Sequence, residues 1–210
     1  MLGIHDLALF VVSGLLLNMM PGPDSLLIML RSGSQGWRAG SVAALGIGTG
    51  TMVHVLAAAL GLSALLSASA ELFAIIKLMG ALYLVYLGVS LLRQGVSSPV
   101  ASEPAVSLPA LSYGRIFRQG LLTNVLNPKV ALFFLAFVPQ FIDPAAPQKA
   151  MAFIVLGCIF NINGMIWCHL LAFSTAYASR KMRLPVRLGC WLNRVMGGLF
   201  VGLGIKLAVE

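Results

Sequence analysis

Asn18-Met19-Met20-Pro21-Gly22-Pro23-Asp24-Ser25 interrupts an apolar run that extends from about Leu7 to Leu30. A run of that length can cross a bilayer. Pro21 and Pro23 lack an N–H and clash with the preceding turn, and Gly22 lies between them, so the helical ladder must break here. A carboxylate, Asp24, follows at once. A break and a charge deep in an apolar run are costly in lipid, and are tolerated where protein or a water-filled cavity surrounds them. The stretch therefore reads as half of a membrane site, whose other half must lie elsewhere in the chain.

The chain has 210 residues, of which 59% are hydrophobic and 10% charged, and its mean hydropathy is +0.95. Soluble domains are nearer a quarter charged, so this is a polytopic protein of the lipid bilayer rather than a soluble one with a large core. The net charge of +8 does not point to nucleic acid. Most basic residues lie in loops between apolar blocks, and no contiguous basic stripe with interleaved aromatics is present. Cys158, Cys168 and Cys190 form no C-x-x-C pair and read as small apolar filler. The N-terminus has His5 and Asp6 where a signal peptide would carry basic residues.

The predicted fold is an all-α membrane protein with six transmembrane helices, at roughly 5–30, 40–66, 72–92, 116–138, 149–177 and 188–208. Each segment has about 20 mostly apolar residues, enough to cross ~30 Å of hydrocarbon. Gln94 to Tyr113 is rich in Ser, Pro and Ala, which is linker composition. It divides a single membrane domain into a first three-helix repeat, 1–93, a cytoplasmic linker, 94–115, and a second three-helix repeat, 116–210. Arg31 and Arg38, then Arg93, Arg115 and Arg118, then Arg180, Lys181, Arg183, Arg187 and Arg194 all fall at one end of this arrangement. The positive-inside rule makes that end cytoplasmic and puts both termini outside. A five-helix alternative, with the first stretch re-entrant, stays open.

The two halves share a pattern. Gly14-Leu15-Leu16-Leu17-Asn18 runs into Pro21-Gly22-Pro23, and Gly120-Leu121-Leu122-Thr123-Asn124 runs into Asn127-Pro128-Lys129. Lys77-Leu78-Met79-Gly80-Ala81-Leu82 likewise resembles Arg194-Val195-Met196-Gly197-Gly198-Leu199. Halves with an odd number of helices insert upside down relative to one another. Paired Pro/Gly interruptions in two inverted halves are the best sequence pointer to a midplane transport site.

The first break offers Asp24, and the second offers Asn127 and Lys129. An unpaired charge at the bilayer centre costs at least about 2.5–3.5 kcal/mol. Bringing Asp24 and Lys129 together relieves both costs, and so does a zwitterion between them. An amino acid has an ammonium for Asp24 and a carboxylate for Lys129, and the half-helix after Pro23 presents free N–H groups to an anion. Protonation of Asp24 is the candidate coupling event. Asp24 can alternatively be read as the N-cap of that half-helix, and Lys129 as a structural partner or a snorkelling side chain. Asn18 and Asn124 are expected to bond backbone groups that the prolines free. Thr49, Thr51 and His54 on the second helix, and Asn161, Asn163 and His169 on the fifth, either line a polar path or serve as polar glue between helices. Gly46-Ile47-Gly48-Thr49-Gly50, with Ala57 and Gly61, reads as a close helix-packing face. Trp37, Tyr113 and Trp191 read as interfacial aromatics.

At these residues the chain resembles the lysine-exporter (LysE/RhtB) family of bacterial amino-acid exporters. The resemblance rests on Pro21-Gly22-Pro23-Asp24, Ser34-Gln35-Gly36-Trp37-Arg38-Ala39-Gly40 and Ala81-Leu82-Tyr83-Leu84-Val85-Tyr86-Leu87-Gly88. It continues through Phe117-Arg118-Gln119-Gly120-Leu121-Leu122-Thr123-Asn124, Asn127-Pro128-Lys129 and Phe137-Val138-Pro139-Gln140-Phe141, so that nearly the whole chain is covered. It implies efflux of amino acids or close derivatives across the inner membrane by exchange with protons. In one place the chain departs from the pattern: relatives often carry an acidic or amide residue near Thr51, which here is a hydroxyl.

Other classes fit less well. An inorganic-cation exporter needs clustered Asp, Glu, His or Cys ligands, and Asp24 is the one carboxylate inside a predicted span. A membrane oxidoreductase needs paired reactive cysteines. A hydrolase needs a base in register with a nucleophile such as Ser25. A purely structural membrane protein leaves Asp24 and Lys129 unexplained unless they pair only with each other. The expectation is therefore a transporter rather than an enzyme, with a small-molecule substrate, no metal and no cofactor; a homo-oligomer is left open.

Overall fold

A computed structural model describes residues 2–64, 70–93 and 110–177, together with 194, 197–198, 201–202 and 204–205. Among the described residues the regular structure is helical, apart from an isolated antiparallel bridge between Ile4 and Ile142. Helices α1 (Leu7–Met19) and α2 (Pro23–Gln35) form one bent pair. Helix α3 (Trp37–Ala57) continues into a π turn, Ala58–Leu62, and α4 spans Ala70–Arg93. Helices α5 (Tyr113–Val125) and α6 (Pro128–Leu132) form the second bent pair, which runs on through a π turn, Phe133–Phe137, and a 3-10 turn, Val138–Phe141. Helix α7 spans Lys149–Tyr177.

Among the described residues two helices are long and apolar enough to cross a membrane: α3 with its π turn, 26 residues, and α7, 29 residues. Counting each bent pair as one span gives up to four. The pairs bend by 53° at Met20–Gly22 and by 46° at Leu126–Asn127, where the prolines made a break unavoidable. Pro23 and Pro128 each occupy the first turn of the helix that follows, a position where a missing N–H costs nothing. Most of the segment predicted at 188–208 and most of the predicted linker lie outside the described residues. Of that last segment, Gly197 lies against Gly88, and Gly204 against Ala81 and Val85, both contacts on α4.

The bent pairs run antiparallel. At one end His5 N–H donates to Phe141 O (3.1 Å), and Asp143 N–H donates to Gly3 O (2.8 Å). At the other end Gln35 Nε2 donates to Leu111 O, and Leu111 N–H donates to Gln35 Oε1, both at 3.0 Å. The start of the first pair thus meets the finish of the second, and the two breaks come to the same depth.

The first predicted span is longer than its hydropathy suggested. It continues past Leu30 to Gln35, so Arg31 is not a loop residue. Arg31 is buried, and its guanidinium donates to Gln119 Oε1 of α5 at 2.8 Å. That bond offsets part of the cost of burying the charge.

Two apolar cores flank the level of the breaks. One is aromatic: Phe10, Phe133, Phe134, Phe137, Phe141, Phe153 and Phe160 pack with Leu17 and Leu156, and the Phe133 and Phe160 rings stack at 4.4 Å. The other is built from small residues: Ala39, Ala43, Ala44 and Ala172 with Ile28, Ile47 and Ile116. Lipid is as apolar as these side chains, so close packing rather than escape from water holds them together. Leu60, Leu126, Leu82 and Tyr86 are well exposed, as expected of surfaces that face lipid.

The predicted packing face on α3 is correct for Gly46, Gly48 and Gly50. A Cβ on Gly46 would overlap the Phe117 carbonyl, and one on Gly120 would overlap the Ala43 carbonyl. The α3 and α5 backbones therefore touch, and each helix needs its own glycine. Ala57 and Gly61 do not belong to that face: Ala57 is exposed, and a Cβ on Gly61 would meet nothing within 4 Å. At the Gln35 end, Trp37 stacks on Phe173 at 4.9 Å, with the Arg38 guanidinium 5.6 Å from its ring. Tyr113 is exposed and Trp191 lies outside the described residues.

Candidate functional site

Each break leaves a carbonyl without its helical donor. In α1 the Leu17 carbonyl would bond the N–H of residue 21, which is proline. Leu17 O keeps a bond from Met20 N–H (3.2 Å), and the Lys129 ammonium supplies the rest: Nζ donates to Leu17 O and to Met20 O, both at 3.2 Å. In α5 the Asn124 carbonyl would bond the N–H of residue 128, again proline. It accepts instead from Asn127 N–H (2.9 Å) and from His54 Nε2 (3.1 Å). Both repairs satisfy backbone groups that would be costly to leave unpaired in a low-dielectric interior.

The carboxylate is held in the reciprocal way. Asp24 Oδ2 accepts from Asn124 Nδ2 (2.9 Å) and from Asn127 Nδ2 (3.0 Å), both on the second break. The charge of the first break is thus solvated by amides of the second, and the charge of the second by carbonyls of the first. Asp24 Oδ1 is buried and makes no hydrogen bond.

This corrects three expectations. Asp24 does not cap α2: Gly22 is the N-cap, and no side chain bonds the first turn. Its bonds go across to the other half because Pro23 starts the helix and aims residue 24 inward. The cap at the second break is Asn127, whose Oδ1 accepts from Lys129 N–H at 3.0 Å. Nor do Asp24 and Lys129 pair directly, since the one ion pair within 4.0 Å among the described residues is His5–Asp6 at 3.3 Å. Finally, neither asparagine side chain bonds a proline-freed backbone group. Asn18 Nδ2 donates to Phe160 O on α7 (3.4 Å), and the Asn124 side chain serves Asp24 while its carbonyl is the freed group.

A cavity of about 30 Å³ lies between the breaks. Asn18, Asp24, Asn124 and Lys129 line it from the bent pairs, Thr51 from α3 and Asn161 from α7. A volume of that size takes a water or two. Thr51 Oγ1 stands 3.2 Å from Ile47 O and 3.3 Å from Asn124 Oδ1, and its proton serves one of them. Asn127 stands behind Asp24, with 2% of its surface exposed. His54 braces the second break from behind, and its ring stacks on Phe134 (6.2 Å, 6°).

Other polar residues fall outside the site. Asn163 is not on the cavity wall, and its Nδ2 is buried without a partner. Thr49 bonds Leu45 O and His169 bonds Met165 O, each within its own helix. Among the described residues no group of three His, Cys, Asp or Glu is placed to hold a metal ion. Sequence reasoning passed over Ser25, Gly164, Met165 and Cys168 as cavity residues. On α7 the wall residues Asn161, Gly164, Met165 and Cys168 follow the i, i+3, i+4, i+7 spacing of one helical face. That spacing, projected from Asn161, would have found them.

Two broken spans, antiparallel and joined by charges at the breaks, define a membrane translocator. A family model described as "LysE type translocator" matches residues 15–210, and the chain belongs to that family. It is 35% identical over 210 residues to an uncharacterized membrane protein of Pseudomonas aeruginosa, covering 99% of this chain and 96% of that one. It is 29% identical over 206 residues to the leucine efflux protein of Salmonella typhimurium, covering 98% of this chain and 96% of that one. No solved structure matches the chain significantly.

Proposed function

We propose that this protein is a secondary active exporter of amino acids or their close derivatives across the bacterial inner membrane, working by exchange with protons. In this reading six helices form two inverted three-helix repeats, the Arg-rich end is cytoplasmic, and both termini lie outside. The observation that carries it is the reciprocal holding of Asp24 and Lys129 by opposite breaks around one cavity. A leucine exporter in the same family supports the substrate class.

The geometry suggests how the site works. Asp24 Oδ1 has no protein donor and is available to a substrate ammonium. The Lys129 ammonium has three donors, two of which go to carbonyls, and the third is available to a substrate carboxylate. A zwitterion on these two unused positions draws each charge toward itself and weakens the contacts that Asp24 Oδ2 and the other Lys129 N–H groups make across the halves, and so loosens one bent pair from the other. The cavity is far smaller than the ~300 Å³ at which ligand pockets begin, so this is an occluded arrangement that must open at the breaks to admit substrate. A proton on Asp24 then restores the unloaded arrangement. One charge moving inward releases ~2.3 kcal/mol per 100 mV, more than the ~1.4 kcal/mol of a tenfold gradient.

The test is efflux of radiolabelled amino acids from loaded vesicles, across a panel and with or without a pH gradient. Export of at least one amino acid, accelerated by an inward proton gradient, is expected. Export indifferent to the gradient would remove proton exchange, and export of none of the panel would overturn the substrate class.

A further inference from the structure

The two π turns were not foreseen, and they lie close together. Ala58–Leu62 extends α3 and Phe133–Phe137 extends α6. Such turns are well under 1% of residues in proteins and recur at functional sites. Here they flank one groove of about 340 Å³, with Ala58, Gly61 and Leu62 on one side and Phe134 and Leu135 on the other. Among the described residues no Asp, Glu, Lys or Arg lines it. Its volume is in the range of ligand pockets, roughly tenfold that of the cavity at the breaks.

One chain of hydrogen bonds links the groove wall to the charged site. His54 is on the groove wall, its Nε2 donates to Asn124 O (3.1 Å), and Asn124 Nδ2 donates to Asp24 (2.9 Å). The His54 ring lies parallel to that of Phe134 on the facing wall. A slot for a lipid tail would be apolar along its length, whereas this one carries an imidazole, His54, on its wall. It also lies at the end of α3 away from Arg38 and Trp37, which is the outward side in the proposed topology.

We infer that this groove receives the apolar side chain of the exported amino acid as it leaves the charged site, with the His54–Asn124 contact as the partition between them. The inference rests on the export reading and narrows it: uncharged, apolar side chains are carried, and acidic or basic ones are not. The charged site holds the ammonium and carboxylate, which are common to all amino acids, and the groove supplies the selectivity.

Gly61 offers the test, because an added Cβ there meets nothing within 4 Å and the variants should fold. Gly61→Cys in intact cells is exposed to a membrane-impermeant thiol reagent, with the wild type giving the background from its own cysteines. Labelling above background is expected, and it should be lost when the cells are loaded with leucine but kept when they are loaded with aspartate. Gly61→Phe, which fills the groove, should lower leucine efflux by about tenfold. Labelling by a lipid-soluble maleimide alone would assign the groove to acyl chains and overturn the inference, as would unchanged leucine efflux in Gly61→Phe. If the wild type exports no amino acid, the export reading itself fails; if it exports leucine while the Gly61 variants behave as wild type, only the groove does.

Discussion

The two breaks do similar work with different chemistry. The first spans Met20–Gly22, bends 53°, and has no side-chain cap. The second spans Leu126–Asn127, bends 46°, and is closed by the Asn127 side chain. The first supplies a carboxylate and two carbonyl acceptors, and the second supplies two amides and an ammonium. Neither is complete alone. The charge on each is held by polar groups of the other, so a change in either half is expected to be felt by both.

The largest effect should come from Lys129→Ala. It strands the Met20 carbonyl, leaves Leu17 O with only its bond from Met20 N–H, and leaves Asp24 uncompensated, at about 1–3 kcal/mol for each buried group left unpaired. Export should vanish, and thermal stability in detergent should fall. Asp24→Asn should also abolish export but keep stability near the wild type, because an amide oxygen can still accept from Asn124 and Asn127. Equal stability of the two variants would break the picture of Lys129 as the brace of the first break.

Next is Gly120→Leu, whose side chain would drive the Ala43 backbone and α3 off α5. Overpacking of this kind costs about 1–3 kcal/mol or more, and purified yield and melting temperature should both drop. Normal stability would mean that the second break does not depend on its contact with α3.

A smaller contrast separates the breaks directly. Asn127→Ala removes a cap worth about 1 kcal/mol together with one of the two donors to Asp24, and should lower both stability and efflux. Gly22→Ala should be nearly silent in stability, because an added Cβ meets Lys129 Nζ at 3.4 Å, an ordinary contact, and the backbone there is extended. Reversal of that order in thermal melts would contradict the assigned caps.

The smallest effect is expected at Thr51. Thr51→Val keeps the shape and removes one shared hydrogen bond to Ile47 O or Asn124 Oδ1, worth about 0.5–1.5 kcal/mol. Efflux should change only modestly, and a large loss would promote Thr51 from a support of Asn124 to a direct part of the site.

The sequence by itself determined that this is a helical membrane protein and that two of its helices must break. Length and apolarity decide the first, and the missing proline N–H groups decide the second, since both are local properties of the chain. It also put Asp24, Asn127 and Lys129 at the breaks, and the structure brings them together with Asn124. Only the tertiary structure decided who bonds whom. Opposite charges at matched breaks suggested a direct pair, yet each charge is held by neutral groups of the other half. Orphaned carbonyls and amides compete for an ion as effectively as a counter-charge, and their positions depend on where two helices cross. The burial of Arg31, the bracing role of His54 and the facing π turns likewise depend on neighbours distant in the chain, which no local pattern encodes.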